Sequence, residues 1–69
     1  MTQSDLNFIE GCLSKVRTIV SGRAVSSFDE LIELDRIGQR NNLKPTNFGC
    51  DGCKVQLCQD ILTLYENSK

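Results

Sequence analysis

Three of the four cysteines, Cys50, Cys53 and Cys58, lie within nine residues of each other. This segment is predicted to begin the last helix of the chain. Thiolates at a helix N-terminus are stabilised by the positive end of the helix dipole, so they can bind metal or exchange disulfides. The chain has no histidine, no tryptophan and no recognised catalytic motif. The thiols are therefore its clearest candidates for chemistry.

A structural zinc site is the first chemistry to consider, because four thiolates commonly surround zinc. Cys50 and Cys53 form a Cys-x-x-Cys pair, but the sequence has no second such pair and no histidine. On a regular helix Cys53 and Cys58 would point about 140° away from each other. We therefore expect no metal and no other cofactor. A zinc-binding regulatory domain using Cys50 and Cys53, with Cys12 and Cys58 added, is the alternative.

Disulfide exchange is the second chemistry, since Cys-x-x-Cys at a helix start also occurs in thioredoxin-like proteins. Those motifs follow a strand within a βαβ unit, and this sequence has no such pattern. Free cysteines often behave as small buried hydrophobes, which predicts Cys12 and Cys58 in the core. For Cys50 and Cys53 two interpretations stay open: packing of the connector onto the helix, or a local disulfide formed after oxidation.

The apolar periodicity predicts a single all-α domain, residues 1–69, folded as a small three-helix bundle. The helices are expected at about 4–21, 27–40 and 51–66, with a turn-rich connector at 41–50. Ser27 and Glu30 form a capping box for the second helix. In each helix the apolar residues recur at spacings of three and four, which places them on one face. For the first helix these residues are Leu6, Ile9, Leu13, Val16 and Val20.

The composition favours a protein that works with partners. A chain of 69 residues with 39% hydrophobic residues is at the lower size limit for a self-sufficient core. Eight basic and nine acidic residues give a net charge of -1, which attracts nucleic acid and anionic membranes only weakly. We therefore expect a protein partner or self-association rather than nucleic acid, and a DNA-binding regulator is the third hypothesis.

Neither a membrane protein nor an enzyme is expected. No segment approaches the roughly 20 apolar residues of a membrane span, and the first twenty residues are too polar for a signal peptide. The expected location is therefore the cytoplasm. The acids Asp29, Glu30, Glu33 and Asp35 fit the solvated face of a short helix. No nucleophile–base pair supports covalent or acid–base catalysis.

The last helix carries an apolar arc wider than two neighbouring helices require. One edge of this arc is expected to stay exposed for a partner subunit. The predicted partner contacts are Phe48, Val55, Leu62 and Tyr65.

Residues 42–53, Asn-Leu-Lys-Pro-Thr-Asn-Phe-Gly-Cys-Asp-Gly-Cys, lead into the amphipathic terminal helix. In this last third the chain resembles small uncharacterised helical proteins of tailed bacteriophages, in which a polar turn precedes Cys-x-x-Cys and a C-terminal helix. It departs from their pattern in lacking a strongly basic last helix and in carrying Cys58. The resemblance implies a phage accessory or virion-associated protein, located in the host cytoplasm or the virion. Its expected function is a non-enzymatic interaction or structural module in an oligomer or larger assembly.

Overall fold

The computed structural model describes residues 1–22 and 29–68, and every regular element within these two ranges is helical. The helices are α1 (Gln3–Gly11), α2 (Leu13–Val20), α3 (Glu30–Arg40) and α4 (Asp51–Asn67). The predicted all-α class is confirmed. The predicted count of three helices is wrong, because the described residues form four.

The additional helix arises from a break at Cys12, inside the predicted helix 4–21. In an unbroken helix the N–H of Cys12 would donate to the carbonyl of Phe8. That N–H donates instead to the carbonyl of Ile9 at 3.1 Å, and the thiol of Cys12 donates to Phe8 at 3.4 Å. Gly11 favours the interruption, since glycine costs about 1 kcal/mol relative to alanine in a helix. The next helix starts at once, with Val16 N–H donating to the Cys12 carbonyl at 3.1 Å.

The predicted start of the second helix at Ser27 lies outside the described residues. Within them, α3 begins at Glu30, whose carboxylate accepts a hydrogen bond from Lys15 Nζ at 2.6 Å. This ion pair joins α2 to α3 across the surface of the bundle. Both side chains keep solvent access, so we expect this ion pair to contribute little to the stability of the fold.

The end of α3 is a Schellman motif that starts the connector. Asn42 adopts a left-handed φ of 71°, and its N–H donates to Gln39. The N–H of Leu43 reaches back to the carbonyl of Gly38 at 2.9 Å, which completes the motif. A Cβ at Gly38 would lie 3.0 Å from Leu43 Cδ1, so glycine permits the close approach of this side chain.

The long helix α4 is the centre of the fold, since α1, α2 and α3 all pack against it. Its bounds agree with the predicted 51–66 to within one residue. The core combines its buried stripe with apolar residues from the other three helices. Among the described residues the buried hydrophobic side chains are Ile9, Cys12, Val16, Ile19, Leu31, Leu34, Ile37, Leu57, Cys58, Ile61 and Tyr65. The prediction that Cys12 and Cys58 lie in the core is confirmed.

Two buried carboxylates, Asp5 and Asp35, tie the ends of elements together. Asp5 accepts a hydrogen bond from Arg40 at 2.9 Å and links the start of α1 to the end of α3. Asp35 accepts from the backbone N–H of Thr46 at 2.9 Å and from Gln39 at 2.8 Å, which anchors the connector. In residues 1–22 and 29–68, no helix combines the length and apolar character needed to cross a membrane.

Candidate functional site

Cys50 is the N-cap of α4, a position where serine or aspartate usually supplies the capping oxygen. Its backbone is extended, with φ -120° and ψ 117°, and its Sγ accepts the N–H of Cys53 at 3.3 Å. The backbone N–H of Cys50 donates to Asn47 at 3.1 Å, and its carbonyl accepts from Lys54 at 3.2 Å. Hydrogen bonds on both sides of Cys50 therefore hold its thiol at the N-terminus of α4.

The connector that precedes α4 and ends at Cys50 is itself ordered by side-chain hydrogen bonds. Asn47 Oδ1 accepts the N–H of Gly49 at 2.9 Å, which closes a tight turn just before the cap. One residue earlier, Thr46 is fastened to Asp35 of α3. The position of the thiol pair consequently depends on α3 as well as on α4.

The pKa values of the two thiols of this pair shift in opposite directions. The pKa of Cys50 is lowered, first by a hydrogen bond from the Cys53 thiol and then by the backbone N–H groups of Cys53 and Gly52. The pKa of Cys53 is raised, mainly because it donates to Cys50 and secondarily by burial. Cys50 is therefore the more readily ionised thiol of the two.

Cys12 and Cys58 occupy a different environment, with 4% and 0% of their surface exposed. Burial raises the pKa of Cys58 to about 11, and Cys12 nearby adds a smaller increase. Burial also raises the pKa of Cys12. Both thiols stay protonated at neutral pH, as expected for packing groups.

The four cysteines considered as zinc ligands therefore fall into a surface pair and a core pair. Across the described ranges, the structure brings together no group of three or more His, Cys, Asp or Glu side chains that could hold a metal ion. For the alternative zinc hypothesis, Cys50 and Cys53 are the two candidate ligands that lie near each other.

The predicted partner contacts differ in exposure. Phe48 is 38% exposed, whereas Val55 and Leu62 are half-buried on the flank of the core. Tyr65 is only 4% exposed, and its hydroxyl donates to Glu10 Oε2 of α1 at 3.3 Å. Tyr65 is therefore part of the core in this structure, rather than a residue of an exposed edge.

Sequence reasoning missed Ile32, which is 56% exposed on α3. The available signal was its place beside Leu31, one position off the buried stripe that continues through Leu34. Successive helical residues point about 100° apart, so Ile32 lies off the face that Leu31 and Leu34 share.

An open groove of about 450 Å³ runs between the connector and α4. Its lining includes Lys44, Pro45 and Thr46 on one side and Cys53, Leu57 and Asp60 on the other. The groove gives Cys53 open space next to its side chain.

The burial pattern predicts how the thiols react with an alkylating reagent. In the native protein at about pH 8, near the ordinary thiol pKa, iodoacetamide should modify Cys50 first and Cys53 next. Cys12 and Cys58 should be protected until the chain is unfolded in urea, when all four cysteines react. Peptide mass mapping would measure this order. Labelling of Cys58 in the folded protein as fast as Cys50 would contradict the assignment.

Comparison of the chain with protein-family models, curated proteins and solved structures gives no match. The resemblance to small tailed-phage proteins is thus still a prediction, and function has to be argued from this chain's own residues.

Proposed function

We propose that the protein is a small non-enzymatic interaction or structural module that works in an oligomer or a larger assembly. The observation that carries this proposal is the exposure of Phe48 (38%), a large apolar side chain left uncovered on a small domain. Burial of such side chains against a partner removes apolar area from water, at about 25 cal/mol per Å².

The proposed contact surface consists of Phe48, Val55 and Leu62. Val55 and Leu62 are two turns apart on α4, so they project from the same side of this helix. Each already packs partly against the core and keeps part of its surface accessible. A partner seated on them would extend the existing core instead of forming a separate one.

A second copy of this chain is the partner that the charge balance favours. With a net charge of -1, two copies repel each other little. A short chain with a small core also gains stability when oligomerisation adds buried area. The resemblance of the last third to tailed-phage proteins extends the proposal to an accessory or virion-associated role.

Sedimentation velocity at micromolar concentration tests the proposal, with wild type compared to Phe48→Ala and Leu62→Ala. We expect a wild-type oligomer and a weakening of about tenfold or more in each variant, since truncating a central apolar contact costs over about 1 kcal/mol. Thr63→Ala is the matched control, because Thr63 is an exposed residue of α4 outside this surface.

A monodisperse wild-type monomer that also retains no partner in a pull-down would overturn the proposal. Elemental analysis of the same sample examines the alternative: stoichiometric zinc and unfolding on chelation would favour a zinc-binding regulatory domain. DNA affinity that falls steeply with salt would favour the third hypothesis, a DNA-binding regulator.

A further inference from the structure

We propose that Cys50 and Cys53 form a reversible dithiol–disulfide couple, in which Cys50 attacks a low-molecular-weight disulfide such as glutathione disulfide and Cys53 resolves the adduct. This would be a chemical activity of the chain in addition to its proposed role as an interaction module.

The geometry of the first turn of α4 carries the inference. Cys50 Sγ lies 3.3 Å from the backbone N of Cys53 and accepts its N–H. This bond holds Cys50 Sγ beside the residue that carries the second thiol. Glycine at position 52 leaves this turn uncrowded, since even an added Cβ would lie 4.0 Å from Cys50 Sγ.

Access and charge separate this pair from the other cysteines. Both Cys50 and Cys53 are partly exposed, and Cys53 also lines the open groove. Asp51 disfavours a neighbouring thiolate, but its carboxylate lies 3.6 Å from Lys54 Nζ, which offsets that effect. The helix N-terminus favours a negative charge on the sulfur of Cys50.

The reaction has two exchange steps. The thiolate of Cys50 attacks one sulfur of glutathione disulfide, the bond between its two sulfurs breaks, and one glutathione thiolate leaves. Cys53 then loses its proton to water and attacks Cys50 Sγ, releasing the second glutathione. Two protein thiols are oxidised to one disulfide, and one glutathione disulfide is reduced to two thiols.

The test uses the reduced full-length chain mixed with glutathione disulfide, followed by acid quenching, intact mass and disulfide mapping. Wild type should accumulate a Cys50–Cys53 disulfide with little glutathione adduct. Cys53→Ser should trap glutathione on Cys50. Cys50→Ser should react at Cys53 at least about tenfold more slowly, because the N-cap sulfur that accepts a backbone N–H at the start of α4 is the one removed. Circular dichroism establishes that each variant is helical.

Three results would overturn the proposal: a stable glutathione adduct on wild type, equal rates in the two serine variants, or modification of Cys12 or Cys58 before the surface pair. Mapping of wild type alone decides the first and third, so the conclusion does not depend on the variants folding. Because neither cysteine belongs to the proposed contact surface, sedimentation of the reduced protein reports separately on the proposed function.

Discussion

Replacement of Ile61 by alanine should lower the free energy of unfolding by about 2–5 kcal/mol, the range for deleting a buried isoleucine side chain. Ile61 is 0% exposed and lies on the buried stripe of α4. Since α1, α2 and α3 all pack on this helix, no single neighbour can move in to fill the cavity without disturbing the others. For a chain of 69 residues the total stability is on the order of 3–10 kcal/mol, so a large unfolded fraction is expected.

Ile32→Ala provides the matched control, because it removes the same atoms from a side chain that is 56% exposed. We expect its stability to change by less than about 0.5 kcal/mol. Urea denaturation followed by circular dichroism, at concentrations too low for association, measures both variants. Similar losses in the two variants would contradict the assignment of Ile61 to the centre of the core.

Replacement of Asp35 by alanine should cost about 1–3 kcal/mol, because it removes a largely buried acceptor from two donors. One donor is the side-chain amide of Gln39, and the other is the backbone N–H of Thr46. The hydrogen bond from Thr46 joins the connector to α3. The loss should also release the connector locally. We therefore expect faster hydrogen exchange at the Thr46 amide, measurable by nuclear magnetic resonance.

Asp60→Ala is the control for this second prediction. Asp60 also accepts from a glutamine one turn away, Gln56 at 3.0 Å, but this hydrogen bond is exposed and lies within α4. Its removal should cost less than about 0.5 kcal/mol and leave Thr46 exchange unchanged. If Asp60→Ala were as destabilising as Asp35→Ala, the link between α3 and the connector would not be the cause.

Helix α4 and the buried cysteines could be predicted because their signals are local. Three- and four-residue spacing of apolar side chains follows directly from the helical repeat, so it identified α4 to within one residue. The same periodicity placed Cys12 and Cys58 on apolar faces, and both are buried. The continuous first helix was a wrong prediction, because the stripe continues across Cys12 even though the backbone bonds do not.

The candidate site could be predicted only in part. Cys-x-x-Cys at the start of a predicted helix indicated where two thiols would lie, since residues three apart share a helical face. Which of them ionises more readily depends on the N-cap geometry, in which Cys50 accepts bonds and Cys53 donates. No spacing in the sequence indicates that arrangement.

The sequence by itself determined the all-α class, the extent of α4 and the proximity of Cys50 to Cys53, because each depends on residues a few positions apart. Only the tertiary structure decided the break between α1 and α2 at Cys12, the burial of Tyr65 and the link between Asp35 and Thr46. Helical periodicity identifies the apolar face of a helix, but it carries no information on which neighbour covers that face. Coverage depends on the packing of distant segments, and this packing determines which thiols remain accessible for chemistry.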